Sequence, residues 1–284
     1  MIHIYTFCID IGRISKQDLN NVFMIFYNSI KRNHNLYNIQ VFTNFSLEMN
    51  DPNVIFTNYD DACKLQNKSD IYGDKWLNMS FNKIYMYKYL RDKHNIDYIW
   101  MDLDTIVVAN LEYINELNSY FIDCGGNSKD PHELIEGERE TMIPRNKWIQ
   151  GNIWKINLQL YETFIKLNSE IIKQNKRFNY DLQSLFTYYF YYKLDGNVTT
   201  WLNNDIYVVG RNCKMNILNG LCIWAKQGNT HANLSGLQNL YYDDKKRLCS
   251  KYYPNYIIEI VSFTFYTLKV LYPRKEFIQL FLNQ

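Results

Sequence analysis

The run Ile96-Asp97-Tyr98-Ile99-Trp100-Met101-Asp102-Leu103-Asp104-Thr105-Ile106-Val107-Val108 constrains this chain more than any other stretch. It is apolar without alternating, which is how a β-strand reads when both of its faces are covered. Strands of that kind belong to open α/β sheets with helices on either side, and ligands of such sheets gather at the carboxyl ends of the strands. Asp102 and Asp104 lie inside the run, where two carboxylates are costly unless something binds them. Residues at i and i+2 of a strand point to the same side, so the spacing predicts that both carboxylates converge on one small volume. Their mutual repulsion is relieved by a cation. Hard divalent cations take oxygen ligands and are commonly shared between protein carboxylates and substrate phosphates. The alternative is an aspartate pair that merely caps a strand end or accepts backbone N–H bonds.

The flanking segments supply the rest of such a sheet. Ile2–Phe7, Ile39–Thr43 and Asn53–Phe56 predict strands. Residues 18–32 carry Leu19, Val22, Phe23, Ile25, Phe26 and Ile30 at helical spacing, and Phe81, Ile84, Tyr87 and Leu90 line one face of a second helix. The alternation predicts an α/β fold with a mostly parallel central sheet and helices on both faces. Residues 127–147 are polar and read either as a loop over the site or as a solvated connection. Trp148–Leu158 is apolar again, and Leu158, Tyr161, Ile165 and Ile172 mark an amphipathic helix. No internal repeat or linker interrupts the 284 residues, so residues 1–250 are expected to form one domain and 251–284 a C-terminal amphipathic helical extension. The stretch from Tyr256 to Leu282 is the most apolar of the chain, interrupted by Glu259 and Lys269. It reads as an interfacial helix making peripheral membrane contact, or as a helix packed on the core.

Composition excludes several classes. Hydrophobic residues at 47% and charged residues at 21% exclude disorder. Lys+Arg 31 against Asp+Glu 29 leaves a net +2, which is no electrostatic footprint for nucleic acid. No apolar stretch is long enough to span a bilayer, and Met1–Phe7 reads as a strand, not a signal peptide. Six scattered cysteines without a CxxC pair suit reduced thiols in a cytoplasmic protein. The aromatic fraction of 17% has two readings: a sugar- or base-stacking surface, or the bias of an AT-rich coding sequence that also enriches Asn, Ile and Lys.

Tyr98–Val108, followed by Asn110-Leu111, resembles the Asp-x-Asp segment of the metal-dependent GT-A glycosyltransferases in its family-8 form, the family of glycogenin and of bacterial galactosyl- and glucosyltransferases. Ser80-Phe81-Asn82-Lys83-Ile84 is similar to the helix whose basic residue contacts the donor. Trp148-Ile149-Gln150-Gly151-Asn152 resembles the family's aromatic-Asn-x-Gly segment, with Gln150 in place of Asn and Asn152 in place of Gly. Asn179-Tyr180-Asp181-Leu182-Gln183-Ser184-Leu185 looks like the Asp-Gln-Asp-x-Leu region with Asp181 kept. Asn229–Gly236 is similar to the His-x-x-Gly segment, with His231 as its imidazole and without the usual following Lys. The matches run in order over about residues 1–240.

The resemblance implies a GT-A fold and a metal-dependent hexosyl transfer from a nucleotide sugar, most often a UDP-hexose. The acceptor would be a hydroxyl of a glycan, a lipid-linked or a protein substrate, and the anomeric configuration would be retained. Asp102, Asp104 and His231 would ligate Mn²⁺ (or Mg²⁺), with Asp102 also reaching the ribose; an imidazole beside carboxylates favours manganese. Thr6 and Phe7 would approach the nucleotide base and Lys83 the diphosphate. Asp181 and Gln150 are the catalytic candidates beside the transferred sugar. Phe7, Trp100 and Trp154 would sit where the nucleotide-sugar site is expected. Two other functions share parts of this pattern. One is a non-catalytic nucleotide- or carbohydrate-binding protein of the same fold. The other is a haloacid-dehalogenase-type phosphatase, for which Thr105 stands one place early and Ile106 fills the expected position.

Overall fold

The computed structural model describes residues 1–12, 15–65, 75–103, 105–107, 111–112, 120–122, 129–194, 206–208, 222–224, 240–242, 248–250 and 253–258. The chain enters on β1 (Ile2–Cys8) and continues into α1 (Lys16–Asn33). In α1, Leu19, Val22, Phe23, Phe26, Tyr27 and Ile30 recur at helical spacing and all are buried. Next come β2 (Tyr37–Thr43), β3 (Val54–Asn58), the short α2 (Tyr59–Leu65) and α3 (Lys75–His94). The face expected for α3 is the buried one, with Phe81, Ile84, Tyr87 and Leu90 joined by Tyr85 and Met86. Asn95 ends α3 in the left-handed region at φ 53°, a conformation asparagine tolerates at helix ends.

β4 (Ile99–Met101), β5 (Thr105–Val107), β6 (Tyr120–Ile122), β7 (Pro131–Glu133), β8 (Met142–Pro144) and β9 (Gln150–Lys155) precede the helices α4 (Leu158–Lys173) and α5 (Asp181–Lys193). Short strands follow: β10 (Ile206–Val208), β11 (Cys222–Trp224), β12 (Leu240–Tyr242), β13 (Leu248–Ser250) and β14 (Tyr253–Ile258).

The central sheet has the order β3-β2-β1-β4-β9-β6. β1 pairs in parallel with both β2 and β4, and β2 with β3, while β9 runs antiparallel to β4 and to β6. From β1 the chain steps outward through β2 to β3 and then returns to β4 on the other side of β1. The carboxyl ends of β1 and β4 therefore flank the point where the strand order reverses, the usual ligand crevice of an open α/β sheet.

Helices cover both faces. On one side Tyr5, Phe7, Trp100 and Trp154 join buried residues of α3, α4 and α5 in one aromatic-rich core. Trp100 and Trp154 stack at 6.1 Å, and Tyr5 meets both edge-on at 5.0 and 5.8 Å. α1 lies on the other side, where the Leu19 carbonyl meets the Cys8 thiol and the Ser29 hydroxyl accepts the Val107 N–H. Burial pushes the Cys8 thiol up to about 12, so it is a protonated core group.

Four expectations are sharpened or corrected here. The run Ile96–Val108 is not one strand: the Thr105 N–H donates to the Asp102 carbonyl at 3.1 Å, closing a turn between β4 and β5. β5 then leaves the central sheet and pairs antiparallel with β11, beside β10. The polar stretch is built structure over 129–147, an antiparallel β7–β8 hairpin whose Leu134, Ile143 and Trp148 form a small core against Tyr188 and Tyr191 of α5. The Thr141 hydroxyl accepts the Leu134 and Ile135 N–H groups, which fixes its tip. α4 starts where expected, capped by the Asn157 side chain accepting the Leu160 N–H at 2.9 Å. Its buried face, however, is Tyr161, Phe164, Leu167, Asn168 and Ile171, while Leu158 at the first turn is exposed. Finally, Tyr253–Ile258 is a strand in the antiparallel sheet β12-β13-β14; residues 259–284, the remainder of the expected C-terminal helix, lie outside the described residues. Among the described residues no helix is long and apolar enough to cross a membrane.

Asp51, before β3, accepts hydrogen bonds from the Tyr27 and Tyr37 hydroxyls on one oxygen, at 2.5 and 2.6 Å. Burial alone pushes this carboxyl up, but the two hydroxyls, the Asn53 N–H and the Lys31 charge outweigh it and hold the group below its ordinary value. A folded-state value below the unfolded one contributes stability that is present above the unfolded value and lost as pH falls through the folded one. Asp51→Asn is therefore expected to lower the urea midpoint at pH 7, and its gap to wild type should close between about pH 5 and pH 2. A gap that stays constant over that range would remove the carboxylate from the explanation.

Candidate active site

Tyr5, Phe7 and Trp100 alternate onto the aromatic face of the sheet, and Asp102 follows Trp100 by two residues at the end of β4. The Trp100 indole Nε1 donates to Asp102 Oδ1 at 3.0 Å. Lys83, from α3, donates its Nζ to the same oxygen at 2.8 Å and stands 4.7 Å from the Trp100 ring centroid. The Lys83 carbonyl accepts the Tyr5 hydroxyl at 2.8 Å, so β1, α3 and β4 are tied together at this one turn of helix. Burial raises the Tyr5 hydroxyl well above its ordinary value, which keeps it protonated as the donor in that bond. The Lys83 and Asp102 side chains are 13% and 20% exposed, so their charge-assisted bond is only partly screened by water.

Asp102 Oδ2 accepts no hydrogen bond among the described residues. A carboxylate offers about four lone-pair sites, and such an oxygen is of the kind that a hard cation or a sugar hydroxyl takes. Asp102 thus fits the role of an oxygen ligand at a strand end. Asp104 and His231, the other expected ligands, lie outside the described residues. Among the described residues no three His, Cys, Asp or Glu side chains come together.

β9 brings the second part of the site. Its register with β4, Trp100↔Trp154 and Met101↔Ile153, sets its first residues, Gln150 and Gly151, at the carboxyl end of β4. A Cβ at Gly151 would lie 4.0 Å from the Leu182 Cβ, so the first turn of α5, with Asp181, borders the same end of the sheet. The Thr187 hydroxyl accepts the Ile149 N–H at 3.0 Å and holds α5 along this edge. The backbone therefore sets Gln150 at the carboxyl end of β4, and the first turn of α5, which opens at Asp181, beside Gly151.

Thr6 and Phe7 are placed differently from the expectation. The Thr6 side chain is fully buried, and its hydroxyl finds no partner among the described residues. Phe7 packs edge-on against Phe42, Tyr59 and Trp100, at 5.7, 5.3 and 4.9 Å. Neither side chain presents a face to a ligand. Trp100 and Trp154 are likewise buried, so the three aromatics expected at a sugar site lie in the core beside the sheet. The reason is the pleat: the residues that share a face with Asp102 along β1 and β4 are those covered by α3.

Sequence reasoning missed two features. One is the part played by Tyr5 and Trp100 in fixing the Lys83–Asp102 pair, which no motif announces. The other is Arg145, whose guanidinium carbon lies 4.4 Å from the ring centroids of both Trp148 and Tyr180. Those rings meet edge-on at 5.1 Å, with His132 against both. This cluster clasps the β7–β8 hairpin to the residues just before β9 and α5. Its sole trace in the sequence is an Arg three places before a Trp, inside a stretch whose polarity reads as loop.

Fold and site together define an α/β domain with an open, mostly parallel sheet and a candidate site in its switch-point crevice. No protein-family model matches the sequence. No curated protein matches it either. Among solved structures the chain is similar to the apo structure of the bifunctional glycosyltransferase WbbM, with a TM-score of 0.49 and 14% sequence identity, over 73% of this chain and 40% of that one. The chain thus spans less than half the length of the structure it matches.

Proposed function

We propose that this chain is a metal-dependent glycosyltransferase of the GT-A type that moves a hexose from a nucleotide-sugar donor, a UDP-sugar, to an acceptor hydroxyl on a glycan, a lipid-linked or a protein substrate, with retention of configuration. The observation that carries this reading is the Lys83–Asp102 pair at the carboxyl end of β4, where the strand order reverses and the Asp-x-Asp spacing runs on to Asp104.

In this reading Asp102 would hold the cation and the ribose, and Asp104 and His231 would be the further metal ligands. Mn²⁺ bound there supplies Lewis-acid stabilisation of the leaving diphosphate. Lys83 adds a fixed positive charge to the same leaving group, an electrostatic contribution of about 3–4 kcal/mol. Trp100 orients the carboxylate, and the Tyr5 hydroxyl holds the turn of α3 that carries Lys83. Gln150 and Asp181 bind the transferred hexose and keep its anomeric carbon in place.

A panel of UDP- and GDP-sugars, assayed for donor hydrolysis with Mn²⁺ and again after chelation, tests the reading. Turnover of a UDP-hexose that needs the metal and is abolished by Asp104→Ala is the expected result. Unchanged turnover in Asp104→Ala overturns the assignment. Binding of UDP with no turnover of any donor transfers the chain to the non-catalytic alternative.

A further inference from the structure

We propose that Lys83 makes the site selective for a divalent cation accompanied by its diphosphate and against the free cation. The inference rests on the reading of Asp102 as a metal ligand and adds to it a specificity device built from Lys83, Trp100 and Tyr5.

Lys83 Nζ and Trp100 Nε1 both bond Asp102 Oδ1, at 2.8 and 3.0 Å, and the ammonium stands over the indole ring at 4.7 Å. The side chains of the pair are 13% and 20% exposed, so water separates the charges poorly. The Tyr5 hydroxyl on the Lys83 carbonyl fixes the helix turn from which the side chain reaches. A cation on Asp102 Oδ2 would share one carboxylate with this ammonium. Like charges a few ångströms apart disfavour each other strongly in such surroundings. The ammonium can escape only by giving up both its carboxylate and its aromatic face. A diphosphate reverses the balance. It offsets the charge of the cation and offers Lys83 a new anionic acceptor beside the old one. Metal and diphosphate binding are then positively coupled, and the coupling is reciprocal: each tightens the other by the same factor.

Mn²⁺ binding, followed by the loss of the free-ion electron paramagnetic resonance signal, tests this without turnover. It is measured with and without UDP in the full chain, in Lys83→Met, in Lys83→Arg, in Asp102→Asn and in the double variant Lys83→Met/Asp102→Asn. The wild type is expected to bind Mn²⁺ weakly alone and more tightly with UDP. Lys83→Met should bind Mn²⁺ alone about tenfold or more tighter than wild type, since a like charge at this range weighs at least that much. The enhancement by UDP should shrink about tenfold to a hundredfold, the worth of a charged hydrogen bond. Lys83→Arg keeps the charge and should keep the wild-type pattern. Compared with Asp102→Asn alone, the double variant should show no further gain in free-metal affinity, which shows that the gain acts through Asp102. Should Lys83→Met fail to fold, Lys83→Gln carries the same comparison. If Lys83→Met and wild type bind free Mn²⁺ equally while Mn²⁺ and UDP still bind together, the selectivity device is overturned and the metal site stands. If wild type binds Mn²⁺ equally with and without UDP, the selectivity falls alone; if it binds none in either condition, both fall.

Discussion

Asp102→Ala is expected to lower Mn²⁺-dependent turnover of a UDP-sugar by about a hundred- to a thousandfold, the range for removing one preorganised stabiliser of transition-state charge. The substitution removes the oxygen proposed to hold the cation. It also strips Lys83 of its anion, freeing the ammonium to repel whatever cation remains. Asp102→Asn separates these effects from shape. An asparagine oxygen can still accept the Trp100 N–H that now bonds Oδ1, but it carries no charge. If charge is what matters, Asn should lose nearly as much as Ala. Donor hydrolysis at saturating Mn²⁺, with thermal unfolding of each variant alongside, reads the result. Near wild-type turnover in Asp102→Asn would remove this carboxylate from the metal site and leave it as the positioner of Lys83.

The largest loss of stability is expected at Trp154. Its side chain is fully buried, stacked on Trp100 at 6.1 Å and met edge-on by Tyr5 and Phe186 at 5.8 and 5.7 Å. Trp154→Ala leaves a cavity where the sheet meets α5 and should cost about 3–5 kcal/mol, a large part of the roughly 5–15 kcal/mol that holds a typical domain folded. Trp154→Phe is the informative companion. The indole Nε1 has no hydrogen-bond partner among the described residues, so phenylalanine removes a buried donor along with the lost area. The unpartnered N–H is costly in the wild type, which offsets part of the packing loss, and the net cost should stay below about 1.5 kcal/mol. Urea midpoints at unchanged slope measure both variants. A phenylalanine variant as unstable as the alanine one would mean that the indole N–H is bonded in solution.

Periodicity made the first half of the fold legible. The buried faces of α1 and α3 coincide with the apolar positions at helical spacing, because a helix packed on one side records that side every three or four residues. The same signal was displaced in α4. There Leu158 is exposed and Ile165 only partly buried against the core, while Phe164, against Phe186 of α5, and Leu167 are buried. The hairpin over 129–147 was illegible for another reason. Leu134 and Ile143 share no helical or alternating period, and meet each other and Trp148 only when the β7–β8 register closes. The aromatic excess also changed meaning. Tyr5, Phe7, Trp100 and Trp154 spend their rings on the core beside the sheet and offer no open stacking surface, which composition does not distinguish.

By itself the sequence determined that a covered apolar strand of an α/β sheet leads into Asp102, since an apolar run without alternation reads as a strand with both faces covered. The resemblance of Ser80–Ile84 to the donor-contacting helix of the glycosyltransferases singled out Lys83 as the basic residue. What the tertiary structure decided is who meets whom: that Lys83 and Trp100 share one oxygen of Asp102, that Tyr5 holds the lysine from the neighbouring strand, and that an antiparallel β9 sets Gln150 at the carboxyl end of β4. Those partnerships depend on strand order and register, which are settled by packing over the whole sheet and leave no mark at the residues themselves.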